Sequence, residues 1–166
     1  MLQLNKHSFD LKRPLVMGIL NITPDSFSDG GMFLDFNAAL KRAEKMIEEG
    51  VDIIDIGGES TRPGSDAVSA DEELKRITPI IEAIKKISDI AISIDTYKPE
   101  VMKEVIDMDV AMINDIFALQ KPNAIDTIKK SNVGICLMHM QGTPKTMQLN
   151  PIYKNVVNEV KSFLEE

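Results

Sequence analysis

Five times along this chain an apolar run of strand length ends in a polar residue, passes through a loop, and gives way to an amphipathic helix. Leu15 to Leu20 runs into Asn21, Ile53 to Ile56 flanks Asp55 and opens on a polar loop, and Ile90 to Ile94 ends at Asp95. Val110 to Ile113 runs into Asn114, and Val133 to Met138 runs into His139. Alternating β and α units dictate a parallel sheet covered by helices. An open doubly wound sheet concentrates its polar residues at one switch point, whereas a barrel gathers every strand end around one mouth. Polar groups at all five ends favour the barrel. A (β/α)8 TIM barrel has eight strands and about 250 residues. These 166 residues supply about five βα units, so the α/β chain reads as a partial barrel. Residues 1–166 are expected to form a single domain, truncated on its C-terminal side.

The helix faces follow the helical period. Phe36, Ala39, Leu40, Ala43, Met46 and Ile47 share one stripe that stops at Gly50. Ser69 and Glu72 have capping-box spacing ahead of Leu74, Ile77, Ile81, Ile84 and Ile87. Pro79 within that stretch predicts a kink or a split into two helices. Pro99 suits the first turn of a third helix carrying Val101, Met102, Val105 and Ile106. Pro122 predicts a fourth, running to about Lys130. The last helix carries Val156, Val157, Val160, Phe163 and Leu164 on one face. Residues 1–14 read as an extended lead-in, suited to a hairpin closing one end of the fold.

A net charge of -7 with no basic stripe argues against nucleic acid as the main partner. No apolar stretch is long enough to span a membrane and the N-terminus has no signal-peptide pattern, so a cytoplasmic location is expected. The single cysteine, Cys136, cannot form an internal disulfide and reads as a small core residue.

Asp52 to Ser65, DIIDIGGESTRPGS, is the stretch richest in chemistry. Ile54 and Ile56 face one way and need apolar cover, while Ile53, Asp55 and Gly57 face the other. After Gly57-Gly58 come Glu59, Ser60, Thr61 and Arg62, a hydroxyl and guanidinium set able to bind an anion. An ordinary solvated loop is the alternative. Asn21 carries an amide oxygen suited to magnesium, unless it serves as a turn residue. Asp95 suits ring N–H groups or a cation, unless it caps the next helix. Asn114 offers a donor and acceptor to a heterocycle edge, unless it too is a turn residue. Strand alternation brings Met138 toward the mouth. His139 reads more simply as structural than as a base.

Five segments together resemble dihydropteroate synthase: MGILNITPDSFSDGG from Met17, DIIDIGGESTRPGS from Asp52, SIDTYKPEV from Ser93, INDI from Ile113 and LMHMQGTPKTMQ from Leu137. The resemblance covers the whole chain, and the first two segments are highly specific. It implies a pterin-binding TIM barrel of folate biosynthesis, a sulfonamide target. Its enzymes condense 6-hydroxymethyl-7,8-dihydropterin diphosphate with 4-aminobenzoate to give 7,8-dihydropteroate and pyrophosphate. By matching motif, Asn21 would hold magnesium and pyrophosphate, and Thr61 would contact the pterin diphosphate. Asp95, the catalytic residue, and Asn114 would hold the pterin ring, and Met138 would line its slot. Arg62, Pro63 and Phe27 would shape the aminobenzoate pocket. The complete enzyme is expected to be a homodimer. The family continues with Asp-Pro-Gly, Ser-Arg-Lys and Arg-x-His segments absent from these 166 residues, so the chain alone is expected to be inactive. Two other readings stay open, a methyltetrahydrofolate-binding methyltransferase domain and a non-catalytic pterin-binding fragment.

Overall fold

The structure, a computed structural model, describes residues 1–23, 32–60 and 67–165, without the side chains of 32–35. Strands β1 (Leu2–Leu4) and β2 (His7–Phe9) form an antiparallel hairpin. A five-stranded parallel sheet follows in strict chain order, from β3 (Met17–Asn21) through β4 (Ile53–Gly57), β5 (Ala91–Asp95) and β6 (Met112–Asp115) to β7 (Gly134–Leu137). The connections carry α1 (Met32–Glu48), α2 (Ala70–Ile87), α3 (Pro99–Asp107) and α4 (Ala124–Ile128), and α5 (Val156–Glu165) ends the chain. Neighbour-to-neighbour order without a switch point is the barrel alternative of the sequence, realised as five strands.

Alternation along each strand divides two cores. Ile54, Ile56, Ile92, Ile94 and Ile113 point outward and are buried with Ala39 and Ala43 of α1, Ile77 to Ile84 of α2 and Val101, Met102 and Val105 of α3. On the inner face a smaller core joins Ile53, Ala91, Ala111 and Met112 around Leu4. The expected hairpin thus closes one end of the fold, with Leu4 as its plug. Asn5 turns the hairpin at φ 51° and ties it down, donating from its backbone N–H to Asn132 O at 3.0 Å and from Nδ2 to Val110 O at 3.0 Å.

Three expectations about helices are corrected. Pro79 lies inside α2, which runs from Ala70 to Ile87 as one helix, so the split into two helices does not occur. A proline in a helix interior costs about 3 kcal/mol. Burial of Ile77, Ile80, Ile81 and Ile84 on one face is worth roughly 1.5–3 kcal/mol each and outweighs it. The capping box at its start is half formed: Ser69 Oγ accepts from the Glu72 N–H at 3.2 Å, but the Glu72 carboxylate accepts from Arg76 Nε at 2.9 Å instead. Helix α4 is shorter than Pro122 to Lys130, because Asn123 adopts φ 69° and delays its first turn.

Strand bounds shift slightly as well. β3 and β6 begin two residues later than their apolar runs and extend to include Asn21, Asn114 and Asp115. Helix α5 has the expected apolar stripe, yet none of its residues is buried, and Val157 is 71% exposed. His139 packs edge-on against Phe163 at 4.8 Å between ring centroids and lies 3.5 Å from the Tyr153 hydroxyl, which fits its structural reading.

Candidate active site

The parallel register places one residue from each strand in a continuous row at the C-terminal edge of the inner face: Asn21, Gly57, Asp95, Asn114 and Cys136. One level deeper lie Ile19, Asp55, Ser93, Met112 and Gly134. Four of the upper five are polar or glycine because this level faces the mouth, while the level of Ile53 and Ala91 below is apolar. Gly57 leaves room between its neighbours, since a methyl there would meet Asn21 Oδ1 at 3.3 Å and Asp95 Cβ at 3.6 Å.

Asp55 links the two levels. Its Oδ1 accepts from Ser93 Oγ at 2.5 Å and its Oδ2 from Asn114 Nδ2 at 3.1 Å. Asp95 stands apart from these bonds: its Oδ1 is buried and has no hydrogen-bond partner among the described residues. Burial first, and then the carboxylates of Asp55, Glu73, Asp115 and Glu59, push the Asp95 pKa up to about 7. A carboxylate left unpaired in a partly closed mouth is poised to receive N–H donors or to face positive charge. The alternative helix-capping role fails, because the cap of α3 is Lys98 and Asp95 lies within the sheet row. The turn role considered for Asn114 belongs instead to Asp115, whose carboxylate accepts from the Phe117 and Leu119 N–H groups at 2.8 Å each.

Beside this row, Lys98 sits between two buried acids. Its Nζ lies 2.5 Å from Glu59 Oε2 and also pairs with Glu73. Glu59 further accepts from Tyr97 Oη at 2.9 Å and the Val68 N–H at 3.0 Å. Burial alone would raise the Glu59 carboxyl, but Lys98, Val68 and Tyr97 together hold it below its ordinary value. Arg76 Nη1 adds a bond to the Gly58 carbonyl at 2.9 Å. Sequence reasoning missed this cluster, singling out only Glu59 of its members, as part of the polar loop after Gly58. The signal was a glutamate within the buried stripe of α2.

Of the sequence-derived candidates, the structure brings Asn21, Asp95 and Asn114 into one row. Met138 follows directly on β7, half-buried, its N–H donating to Asp115 O at 3.2 Å. Phe27, Thr61, Arg62 and Pro63 lie outside the described residues. Cys136 is not a core residue as expected but exposed in the same row, because no sixth strand covers β7 among the described residues. Partial burial raises its thiol pKa, and Asp55 and Asp95 raise it further, so it is a poor nucleophile. Among the described residues no group of three or more His, Cys, Asp and Glu side chains converges as a metal cage. Asn21 Oδ1 is a neutral oxygen in this row, of the type that hard cations take together with substrate and water oxygens.

A five-stranded barrel portion with amide and carboxylate groups converging at its mouth defines a ligand-binding α/β barrel protein. The pterin binding enzyme family matches residues 17–166, and the chain belongs to that family. It is 53% identical over 162 residues to dihydropteroate synthase of Haemophilus influenzae, covering 98% of this chain and 59% of the relative. It is 50% identical over 159 residues to the Escherichia coli dihydropteroate synthase, covering 96% and 56%. Among solved structures, Yersinia pestis dihydropteroate synthase with a sulfonamide drug superposes with a TM-score of 0.89 at 46% identity, covering 99% of this chain and 60% of that one. Burkholderia cenocepacia dihydropteroate synthase complexed with 7,8-dihydropteroate superposes with a TM-score of 0.84 at 47% identity, covering 99% and 55%. The chain thus spans a little over half the length of these relatives.

Proposed function

We propose that this chain forms the pterin-binding side of a dihydropteroate synthase barrel, joining 6-hydroxymethyl-7,8-dihydropterin diphosphate to 4-aminobenzoate with release of pyrophosphate. The observation that carries this reading is the buried, unpartnered Asp95 Oδ1 between Gly57 and Asn114. In the reaction the amine nitrogen forms a bond to the pterin methylene as the carbon–oxygen bond to diphosphate breaks. Positive charge develops on the methylene and spreads into the ring. Asp95, ionised, stabilises that charge from a fixed position in a poorly hydrated site. Asn114 supports the ring edge with its amide. Asn21 holds the diphosphate end, with magnesium as the expected cofactor, which when bound neutralises the departing pyrophosphate. The aminobenzoate nitrogen is already nucleophilic, so no strong base is required. Thr61, Arg62, Pro63 and Phe27 complete the diphosphate and aminobenzoate contacts in this reading, Met138 lines the pterin slot, and the whole enzyme is a cytoplasmic homodimer.

The test is calorimetric titration of 6-hydroxymethylpterin into the chain and its Asp95→Asn variant, together with pyrophosphate release in a protein containing the complete barrel. Asp95→Asn should lower turnover on the order of a hundredfold or more. Turnover within a few-fold of wild type removes Asp95 from the transition state. Methyl transfer from a methylated pterin in place of pyrophosphate release would replace the assignment altogether.

A further inference from the structure

We infer that Asp55 is the positioning residue of this site, fixing the amide of Asn114 so that one donor and one acceptor are presented together to a heterocycle. The inference rests on the pterin reading of the mouth. Asp55 lies one level below the row that faces ligand and is 5% exposed. It is therefore placed to act through a neighbour rather than by touching ligand. Ionised, its two oxygens are acceptors only. One is held by Ser93 Oγ at 2.5 Å and the other by Asn114 Nδ2 at 3.1 Å. An amide bonded to a carboxylate has one possible orientation, because flipping it would set Oδ1 against the anion. The bond to Asp55 is the only side-chain hydrogen bond of Asn114 among the described residues. Its Oδ1 and its second N–H are left for the mouth, where Asp95 is the neighbour in the row. Three strands supply this relay: Asp55 from β4, Ser93 from β5 and Asn114 from β6.

Calorimetry with 6-hydroxymethylpterin on wild type, Asp55→Asn, Asn114→Ala and the double variant tests the relay. An amide at position 55 places a donor against Asn114 Nδ2 and forces it to turn or move. Asp55→Asn should weaken binding about tenfold or more, and the double variant should bind no worse than Asn114→Ala alone. Losses that add, or an Asp55→Asn affinity within twofold of wild type, overturn the inference. Ser93→Ala keeps the charge and frees one oxygen. It should cost a few-fold, and that loss should vanish in the Asn114→Ala background. A structural role at position 55 alone would weaken both backgrounds equally. Nitrogen–proton spectra supply a readout without ligand: the Asn114 side-chain amide should be slowed in solvent exchange in wild type and released in Ser93→Ala or Asp55→Asn. An unprotected Asn114 amide in wild type overturns the inference. Wild type that binds no pterin while its Asn114 amide is protected overturns the pterin reading and leaves the relay in place.

Discussion

Lys98 Nζ lies 2.5 Å from Glu59 Oε2 and joins the segment after β4 to the segment after β5, while its second partner, Glu73, is 1% exposed in the stripe of α2. Removing one member of a buried ion set leaves the others charged in a poorly hydrated place. Lys98→Met is therefore expected to cost about 3–5 kcal/mol, read from urea midpoints. The same change in a Glu59→Gln, Glu73→Leu background should cost much less. A loss below about 1 kcal/mol in the first case would reduce the cluster to the worth of surface pairs.

Adjacent glycines should respond differently to alanine. At Gly57 the new methyl meets Asn21 Oδ1 at 3.3 Å and the Asp95 side chain beyond it. Binding of 6-hydroxymethylpterin should fall about tenfold, roughly 1.4 kcal/mol, with the melting temperature nearly unchanged. At Gly58 it meets Ile77 Cγ2 at 2.8 Å and the Glu73 backbone oxygen at 3.1 Å, and overpacking there should destabilise by roughly 1–3 kcal/mol. Paired calorimetry and thermal melts on the two variants separate site from scaffold. An unstable Gly57→Ala protein would argue against the separation.

Leu4 closes the inner core at 3% exposure, and a methyl on Gly134 would fall 2.3 Å from its Cδ2, so it packs on bare backbone there. Leu4→Ala should cost about 2–5 kcal/mol. Leu2, exposed on the same strand, should tolerate alanine within about 0.5 kcal/mol. Equal effects at the two positions would deny the plug.

Asp95 should make the fold more stable in mild acid. Its folded pKa, about 7, lies above the ordinary carboxyl value of 3.8. The native state thus holds a proton between these values that the unfolded chain has lost. Stability from this group is fully present below 3.8 and is lost as pH rises through about 7. Urea unfolding should show wild type losing roughly 2 kcal/mol relative to Asp95→Asn between about pH 5 and 7. Parallel curves for the two proteins would place the Asp95 pKa near its ordinary value.

Residue order alone determined the repeating βα unit, the outward isoleucines, the hairpin at one end and the polar residue closing each strand. These rest on local periodicity and on the chain-order neighbours that short βα connections impose. It also singled out Asn21, Asp95 and Asn114, though each had a turn or cap as a rival role. Tertiary structure removed the rivals for Asp95 and Asn114 through register, which places both in one row with Asn21 and moves the turn-forming carboxylate to Asp115. It alone decided that Pro79 stays inside α2, where the burial of four isoleucines exceeds the cost of one lost hydrogen bond. It alone joined Asp55 to Asn114, 59 positions apart, and Lys98 to Glu59, 39 positions apart. A hydrogen bond between strands depends on how far each side chain stands along the sheet. That distance is set by packing of helices the local pattern does not encode.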